Sequence, residues 1–330
     1  MKAIVCTRYG TPEVLQLREL PKPVPGATEV LIRIHAATVS AADIRVRGFR
    51  VPPSFWLPAR LALGVTRPRR AILGNELAGT VEAVGSKVSQ FKEGDAVFAG
   101  TGHHFGAYAE YICLSPETEG VALTTMPANL SFEEAAAIPF GGITALRFLR
   151  QAHIQKGQSV LIYGASGSVG TFAVQIARSF GAEVTGVCST PNLDMVKSLG
   201  ADRVIDYTRE NFARRGETYD VIFDTVGKSS FRDCMQSLKE QGVFLHAVAT
   251  GAVSLRMRWA SMTSSKKMIG GTAVDRIEDL LFLKELAETG RIRPFIDRRY
   301  RLEQIVEAHR YADTGHKRGN VVITLGEKVP

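Results

Sequence analysis

The sequence predicts an α/β protein with two domains, one rich in β-strands and one built on a doubly wound parallel sheet. Two observations lead to this prediction. Apolar and β-branched residues follow strand patterns in the first third of the chain. From about Ser131 onward, short apolar strands alternate with helical segments, which is typical of a parallel sheet. The 330 residues suffice for two such domains.

The composition is that of an ordinary globular protein, with 45% hydrophobic and 22% charged residues. The longest nearly uncharged apolar stretch, around Ala135–Leu146, is too short to cross a bilayer. We therefore expect no membrane insertion. The segment Met1–Gly10 lacks the pattern of a secretory signal, so the expected location is the cytoplasm.

The net charge is +8, from 41 Lys and Arg against 33 Asp and Glu. A basic surface can attract nucleic acid, anionic lipid or a phosphorylated cofactor. The short basic groups Arg67–Arg70 and Arg298–Arg301 are typical of solvated surface, and no basic motif is interleaved with aromatic residues. No nucleic-acid partner is therefore expected. The four cysteines include no CxxC pair, which favours buried reduced thiols over disulfides or a zinc site.

Strand patterns mark the first domain. Val30–Ala37 alternates between apolar and polar residues, and Leu77–Val84 carries β-branched residues between glycines. Between them lies Gly48–Gly74, a long proline-containing connection with Phe55 and Trp56. A segment of this kind either covers a site or forms a packed surface flap, and both interpretations stay open.

The second domain begins with an alanine-rich helix, opened by a capping box of Ser131 and Glu134. Strands are predicted at Ser159–Tyr163, Glu183–Cys188, Arg203–Ile205, Asp220–Phe223, Val243–Ala247 and Asn320–Leu325, and helices at Thr171–Phe180, Leu193–Leu199, Arg276–Thr289 and Tyr300–Ala312. The last segments are expected to rejoin the first domain. The predicted domains are therefore 1–123 with 274–330, and 124–273.

The strongest local motif runs from Tyr163 to Gly170 (YGASGSVG), where an apolar strand ends and a helix begins. Glycine at such a turn lets backbone amides approach a pyrophosphate at the positive end of the helix. The spacing is GxxGxxG instead of GxGxxG, but its position between strand and helix predicts a dinucleotide site. The residues expected to bind the cofactor here are Gly164, Ala165, Ser166, Gly167, Ser168, Val169 and Gly170.

The end of the second strand of this domain is expected to select the cofactor. An NAD site usually has Asp or Glu there to hold the ribose hydroxyls, whereas this chain has Ser189, Thr190, Pro191 and Asn192. Small hydroxyl residues leave room for a 2′-phosphate and can donate hydrogen bonds to it, which favours NADPH. No Arg or Lys, the usual strong phosphate ligands, occupies this turn.

Several segments resemble the medium-chain dehydrogenase/reductase family. Gly74–Gly85 (GNELAGTVEAVG) and Phe91–Phe98 (FKEGDAVF) resemble its first domain, and Gly157–Gly167 (GQSVLIYGASG) resembles its quinone oxidoreductase branch. The likeness extends through Asp224–Gly227 (DTVG) to Gly319–Ile323 (GNVVI), and so covers nearly the whole chain. It implies a GroES-like catalytic domain formed by both chain ends, a Rossmann domain, a cofactor cleft and commonly a homodimer.

The resemblance also implies cofactor contacts, carried over by position. Thr144 would approach the nicotinamide, and Asn320 would lie near the pyrophosphate. Ser189, Asn192 and Tyr207 would surround the adenosine phosphate, and Val226, Val248 and Ala249 would line the cofactor.

The zinc-dependent members of the family hold their catalytic metal with Cys and His side chains. At the corresponding positions this sequence has Ser40, Asn75 and Phe140, which cannot supply the nitrogen and thiolate ligands that zinc needs. The resemblance therefore implies a zinc-independent enzyme with no metal site. His103 and His104 have no evident third ligand, which favours surface histidines over a metal site.

Without zinc, the expected acceptor is a quinone or an α,β-unsaturated carbonyl, because its charge delocalises onto an oxygen that hydrogen bonds can stabilise. The candidates are Ser40 as hydroxyl donor and Asn75 as amide donor. Arg45 either stabilises the developing charge or lies at the surface. Two alternatives stay open: an oxidoreductase of another carbonyl or enoyl substrate, and a non-enzymatic NADPH-binding protein.

Overall fold

The computed structural model of the protein describes residues 1–51, 56–248, 257, 261–262 and 264–326. The chain folds into two compact units. The first is Met1–Phe140 with Val274–Thr289 and Pro294–Pro330, and the second is Gly141–Ala273 with Gly290–Arg293. None of the helices in the described ranges is long and apolar enough to span a membrane.

The first unit is rich in β-strands. Its strands are β1 (Lys2–Cys6), β2 (Leu15–Glu19), β3 (Val30–Thr38), β4 (Glu76–Val84), β5 (Ala96–Gly100), β6 (Tyr111–Leu114), β7 (Ala122–Thr125), β14 (Ile296–Arg301) and β15 (Asn320–Thr324). Seven of them form one sheet in the order β14-β15-β3-β4-β5-β7, with β6 also paired to β3. The strands β1 and β2 form a separate antiparallel pair. The predicted strands at Val30 and Leu77 are confirmed.

The helices associated with this unit are α1 (Ala41–Arg47), α2 (Trp56–Leu63), α3 (Phe132–Ala136), α8 (Ile277–Glu288) and α9 (Ile305–Asp313). The prediction of a continuous helix over Tyr300–Ala312 is wrong at its start. Tyr300 and Arg301 belong to β14, which pairs in parallel with β15, and the helix begins only at Ile305. Sheet pairing with a distant strand determines the conformation of these residues.

The second unit is a doubly wound parallel sheet, as predicted. Its strands are β8 (Ser159–Tyr163), β9 (Glu183–Cys188), β10 (Arg203–Asp206), β11 (Tyr219–Asp224), β12 (Leu238–His246) and β13 (Lys267–Gly270), and its helices are α4 (Pro139–Gln151), α5 (Ser168–Ser179), α6 (Leu193–Ser198) and α7 (Phe231–Ser237). The strand order is β10-β9-β8-β11-β12-β13, with every pair parallel. In such a sheet, ligands bind outside the carboxyl ends of the strands, where the order reverses beside β8.

The capping box of Ser131 and Glu134 forms as predicted, but the helix that it opens ends at Ala136. Helix α3 contacts β3 and β4, and its residues Ala135 and Ala136 are buried. The first compact unit therefore extends to Phe140, whereas the sequence prediction divides the chain after residue 123.

Candidate functional site

At two positions of the glycine turn between β8 and α5, neighbouring atoms leave no room for a side chain. Gly164 has a φ of +82°, and a Cβ at this residue would lie 2.7 Å from a methyl group of Val226. A Cβ at Gly170 would lie 2.1 Å from the carbonyl oxygen of Gly164. The first glycine therefore permits the turn, and the last lets the helix pack closely against the strand.

Gly167 has neither constraint. Its φ is −82°, and the nearest atom to a Cβ placed there is the Gly164 oxygen at 3.6 Å. Gly167 caps α5, whose first backbone amides have no acceptor within the helix. This open position at the positive end of a helix fits the pyrophosphate of a dinucleotide.

Asn192 links the glycine turn to the end of β9. Its Nδ2 donates to the hydroxyl oxygens of Ser166 at 3.3 Å and Ser189 at 3.1 Å. Its Oδ1 is buried and has no hydrogen-bond partner among the described residues. The structure thus brings three of the predicted cofactor residues together and leaves a buried acceptor that a ligand or water can satisfy.

Thr190 has a different environment, because its hydroxyl donates to the carboxylate of Asp206 at the end of β10. Asp206 also accepts from the backbone N and the hydroxyl of Thr208, at 2.9 and 2.7 Å. These hydrogen bonds, that of Thr190 foremost, hold the pKa of Asp206 below its usual value. The Thr190 hydroxyl proton is therefore already engaged within the protein.

Arg209 is a candidate residue that the sequence reasoning missed. Its Nε lies 3.6 Å from the same Asp206 carboxylate, and its side chain is 75% exposed. The sequence search for a phosphate-binding cation was limited to the turn after β9. The signal that would have found Arg209 is the parallel pairing of β10 with β9, because the carboxyl ends of parallel neighbours meet at one edge.

A cavity of about 620 Å³ lies in the parallel-sheet unit and is lined by Tyr163, the last residue of β8, and by residues that follow β10 and β11. Its walls include the rings of Tyr163 and Tyr207, whose centroids are 6.3 Å apart, together with Arg209 and Lys228. The volume is that of a small-molecule site. Tyr207, predicted from the resemblance, is half-exposed here.

The buried Asp224, at the end of β11, organises the loop that carries Val226. Its carboxylate accepts from the backbone N of Val226 at 3.0 Å and of Gly227 at 2.7 Å. A Cβ at Gly227 would lie 2.9 Å from the Cβ of Val248, so the loops after β11 and β12 are in contact. Ala249, the last residue of this predicted set, lies outside the described residues.

Thr144 is half-buried on α4. A Cβ at Gly141, one turn earlier, would lie 2.7 Å from the Ser168 hydroxyl oxygen, so α4 packs against the start of α5. The predicted nicotinamide residue is therefore carried by a helix that contacts the glycine turn.

In the β-rich unit, Ser40 is the N-cap of α1. Its hydroxyl donates to Asp43 Oδ2 at 2.6 Å and accepts from the Asp43 backbone N at 3.2 Å. The other carboxylate oxygen of Asp43 accepts from the backbone N of Gly74 at 2.8 Å. Asp43 therefore joins α1 to the segment that contains Asn75, and the Ser40 hydroxyl is engaged in the helix cap.

Asn75 is 5% exposed, and its Oδ1 has no hydrogen-bond partner among the described residues. The same holds for the hydroxyl of Thr101, whose backbone N donates to the Asn75 carbonyl at 2.8 Å. Rotation of the Asn75 amide exchanges its oxygen for its NH2 group, and the Thr101 hydroxyl can also donate. Two buried polar groups in neighbouring segments are therefore left without a partner among the described residues. Sequence reasoning missed Thr101, which no motif marks.

Glu76 follows Asn75 and is buried, with its carboxylate accepting from the Thr38 hydroxyl and, at 2.6 Å, from the backbone N of Phe140. Burial raises the pKa of Glu76 to about 8. Burial also lowers the pKa of Lys317 to about 8, and the two groups interact electrostatically. Glu76 thus anchors the chain at Phe140, within the same compact unit.

The remaining predicted residues of this unit have other surroundings. Arg45 is exposed on α1. Asn320 is buried, and its Nδ2 donates to the Phe295 carbonyl at 3.3 Å. A ring nitrogen of His104 lies 3.2 Å from the Glu119 carbonyl. Across the described part of the chain, no three His, Cys, Asp or Glu side chains are grouped as metal ligands would be.

Comparison with known proteins gives consistent matches along the chain. Residues 26–127 match the alcohol dehydrogenase GroES-like domain, and residues 199–323 match the family described as zinc-binding dehydrogenase. A 2-methylene-furan-3-one reductase from Solanum lycopersicum is 36% identical over 98% of this chain and 79% of its own length. An NADPH-dependent alkenal/one oxidoreductase from Arabidopsis thaliana is 31% identical over 98% and 79%. The structure of a quinone oxidoreductase from Coxiella burnetii, at 32% identity, superposes with a TM-score of 0.87 over 99% of both chains.

Proposed function

This chain belongs to the quinone oxidoreductase-like branch of the medium-chain dehydrogenase/reductase family, and we propose that it transfers hydride from NADPH to a quinone or an α,β-unsaturated carbonyl. The observation that carries the proposal is the pair of buried, unpartnered polar groups on Asn75 and Thr101, as far as the described residues go. Hydrogen bonds from these groups would stabilise the negative charge that develops on the acceptor oxygen. Buried polar groups left open in this way are typical of sites that bind a polar ligand.

The preference for NADPH rests on the end of β9, where no acidic residue follows Cys188. Ser189 and Asn192 offer small polar side chains there, and Arg209 lies beside the neighbouring Asp206. A guanidinium at this edge supplies the phosphate-binding cation that the turn itself lacks. The name of the Arabidopsis relative, which includes NADPH dependence, supports the same preference.

We propose that catalysis requires no zinc, although one matching family is described as zinc-binding. The donor set does not fit the metal: Ser40 is committed to the cap of α1, Asn75 offers an amide, and Phe140 has no ligand atom. Zinc sites use thiolate, imidazole and carboxylate ligands. The reaction is therefore assigned to hydrogen-bond stabilisation of the acceptor.

The nucleotide supplies the hydride when it is bound. The amides at the start of α5 would hold its pyrophosphate, with Gly167 leaving the necessary space. Val226 and Val248 would provide an apolar wall, fixed by the hydrogen bonds of Asp224. Asn75 and Thr101 would orient the acceptor oxygen, and the Asp43 carboxylate would keep Asn75 in place through Gly74.

We make two further proposals, a homodimeric assembly, which the family resemblance implies, and a cytoplasmic location. Light scattering coupled to gel filtration of the purified protein tests the first. Immunofluorescence and fractionation of the cells that produce the protein test the second. A monomeric mass, or recovery in an organelle fraction, would contradict the respective proposal.

The function is tested by the decay of NADPH absorbance with chelator-treated protein and a panel of quinones and enals, with NADH in parallel. We expect turnover that survives chelation and is slower with NADH. Asn75→Ala and Thr101→Val should each lower kcat/KM about 10- to 100-fold without changing the Kd for NADPH. Tight NADPH binding without turnover of any acceptor would refute the assigned reaction, and loss of activity on chelation would refute the metal-free mechanism.

A further inference from the structure

The connection between α1 and β4 has an unusual charge distribution. No Asp or Glu occurs between Asp43 and Glu76, whereas seven arginines do. Helix α2 lies within this connection, and none of its residues is buried. The structure therefore does not support the packed-flap interpretation for α2, because a helix that closed a core would bury an apolar face.

One side of α2 is attached to the body of the unit through Arg60. The guanidinium carbon of Arg60 lies 3.9 Å from the ring centroid of Phe49, 4.7 Å from that of Tyr9 and 5.2 Å from that of Trp56. The Tyr9 hydroxyl also donates to the carbonyl of Gly64, just after the helix, at 2.9 Å. These contacts hold α2 against the Tyr9 and Phe49 rings of the same unit.

Three aliphatic side chains form an apolar stripe that is open to solvent. Leu57 and Leu61 lie one turn apart on α2, and Val65 follows just after the helix has ended at Leu63. They are 62%, 59% and 65% exposed. An exposed group of aliphatic side chains in a segment anchored in this way is typical of an interaction surface.

The apolar stripe continues into the basic group Arg67, Arg69 and Arg70. All three are exposed, and none forms an ion pair with a residue that the structure describes. This combination suits the surface of an anionic lipid bilayer. The aliphatic side chains match the boundary of the acyl chains, and the arginines match the layer of lipid phosphates.

We propose that α2 and the following residues to Arg70 dock on the surface of an anionic lipid bilayer without spanning it. Leu57, Leu61 and Val65 enter the boundary between headgroups and acyl chains, while the three arginines contact lipid phosphates. A nucleic-acid partner would use the arginines but would leave the aliphatic stripe exposed, so the lipid surface accounts for both features. The proposal does not depend on the oxidoreductase activity.

The test is cosedimentation of the purified full chain with vesicles of phosphatidylcholine alone or of an equimolar mixture with phosphatidylglycerol. We expect binding only to the anionic vesicles. Arg67→Gln/Arg69→Gln/Arg70→Gln should weaken binding about 100-fold, because each cation near the surface contributes roughly fivefold. Leu57→Ser/Leu61→Ser should weaken it at least about tenfold without changing the charge.

The matched control is Arg18→Gln/Lys87→Gln/Lys92→Gln, which removes three exposed cations elsewhere in the same unit. This variant loses the same net charge as the Arg67/Arg69/Arg70 variant. Its vesicle binding should nevertheless change less than about twofold. Equal loss in both triple variants, or retention of binding by the leucine variant, would overturn a defined docking surface. Salt-sensitive binding to an RNA duplex without vesicle binding would also overturn it. All variants should oxidise NADPH with a water-soluble quinone at the wild-type rate, which separates this test from that of the proposed function.

A second measurement leaves the docking surface unchanged. The chain has two tryptophans, Trp56 and Trp259, so Trp259→Phe leaves Trp56 as the only indole reporter. Trp56 is 49% exposed at the start of α2. Its emission should shift to shorter wavelength on addition of anionic vesicles and should be quenched by brominated acyl chains. Unchanged emission at saturating lipid would refute docking through α2.

Discussion

The glycine turn of the parallel-sheet unit and the Asn75 region of the β-rich unit are constructed differently. The glycine turn consists of backbone amides and of positions where a side chain would collide or fill space, such as Gly164 and Gly167. The Asn75 region consists of buried polar side chains that are held by long-range hydrogen bonds, such as the one that the backbone N of Gly74 donates to the Asp43 carboxylate. The first is fixed by local chain geometry, whereas the second depends on tertiary contacts. Substitutions in the two regions should therefore change stability and ligand binding in different ways.

The largest effect is expected at the glycine turn. Gly170→Ala places a Cβ 2.1 Å from the Gly164 oxygen, so the helix must move, and the free energy of unfolding should fall by about 3 kcal/mol. Gly167→Ala meets no atom closer than 3.6 Å and should leave stability unchanged. Because its methyl group occupies the expected pyrophosphate position, NADPH should bind at least about tenfold more weakly. Urea unfolding and NADPH fluorescence titration measure the two effects, and an unchanged Kd in Gly167→Ala would exclude this position from the cofactor site.

The second prediction concerns the hydrogen bonds of Asp43. Asp43→Ala leaves buried donors of Ser40 and Gly74 unpaired and should lower the free energy of unfolding by about 3 kcal/mol. Ser40→Ala removes only the helix cap and should cost about 1 kcal/mol. Chemical denaturation, with kcat measured on the same samples, distinguishes the roles. If Ser40→Ala abolishes turnover at a stability cost of only about 1 kcal/mol, Ser40 acts on the substrate and not only as a cap.

The third prediction is a pH dependence in the β-rich unit. Burial raises the pKa of Glu76 to about 8 from an ordinary value of 4.5, so the folded state binds more protons than the unfolded state between these values. The contribution of protonated Glu76 to the free energy of unfolding is fully present below pH 4.5 and is lost as the pH rises towards 8. Glu76→Gln does not titrate, and its free energy of unfolding relative to wild type should rise by on the order of 2 kcal/mol from pH 5 to pH 8. The exposed Glu93→Gln is the control, and parallel pH profiles for Glu76→Gln and wild type would contradict the prediction.

The smallest expected effect is on cofactor selection. Arg209→Gln should weaken NADPH binding about tenfold, because a charge-assisted hydrogen bond to the 2′-phosphate is lost, and should leave NADH binding unchanged. The matched control is Arg203→Gln, which changes an exposed arginine at the start of β10 that is paired with Glu217. Equal weakening of NADPH and NADH binding in Arg209→Gln would indicate a general electrostatic effect and not recognition of the phosphate.

The comparison of the two regions also explains which sequence predictions succeeded. The strands at Ser159–Tyr163 and Glu183–Cys188 have the predicted bounds, because short apolar runs between turns specify buried parallel strands. The capping box of Ser131 and Glu134 is likewise a local pattern. The predicted start of a helix at Tyr300 is wrong because Tyr300 and Arg301 pair with β15 and so belong to the sheet.

Four features can be predicted from residues close together in the chain: the α/β class, the succession of strands and helices, the position of the glycine turn and the lack of an acid after β9. Other features require the folded structure: Thr190 donates to Asp206, Arg209 lies beside them, and Leu57 and Leu61 face solvent. The Asn75 Oδ1 and the Thr101 hydroxyl also lack partners among the described residues. A hydrogen bond or a buried surface is defined by both of its partners, and in these cases the second partner lies on another strand or loop, or is missing from the described part of the chain.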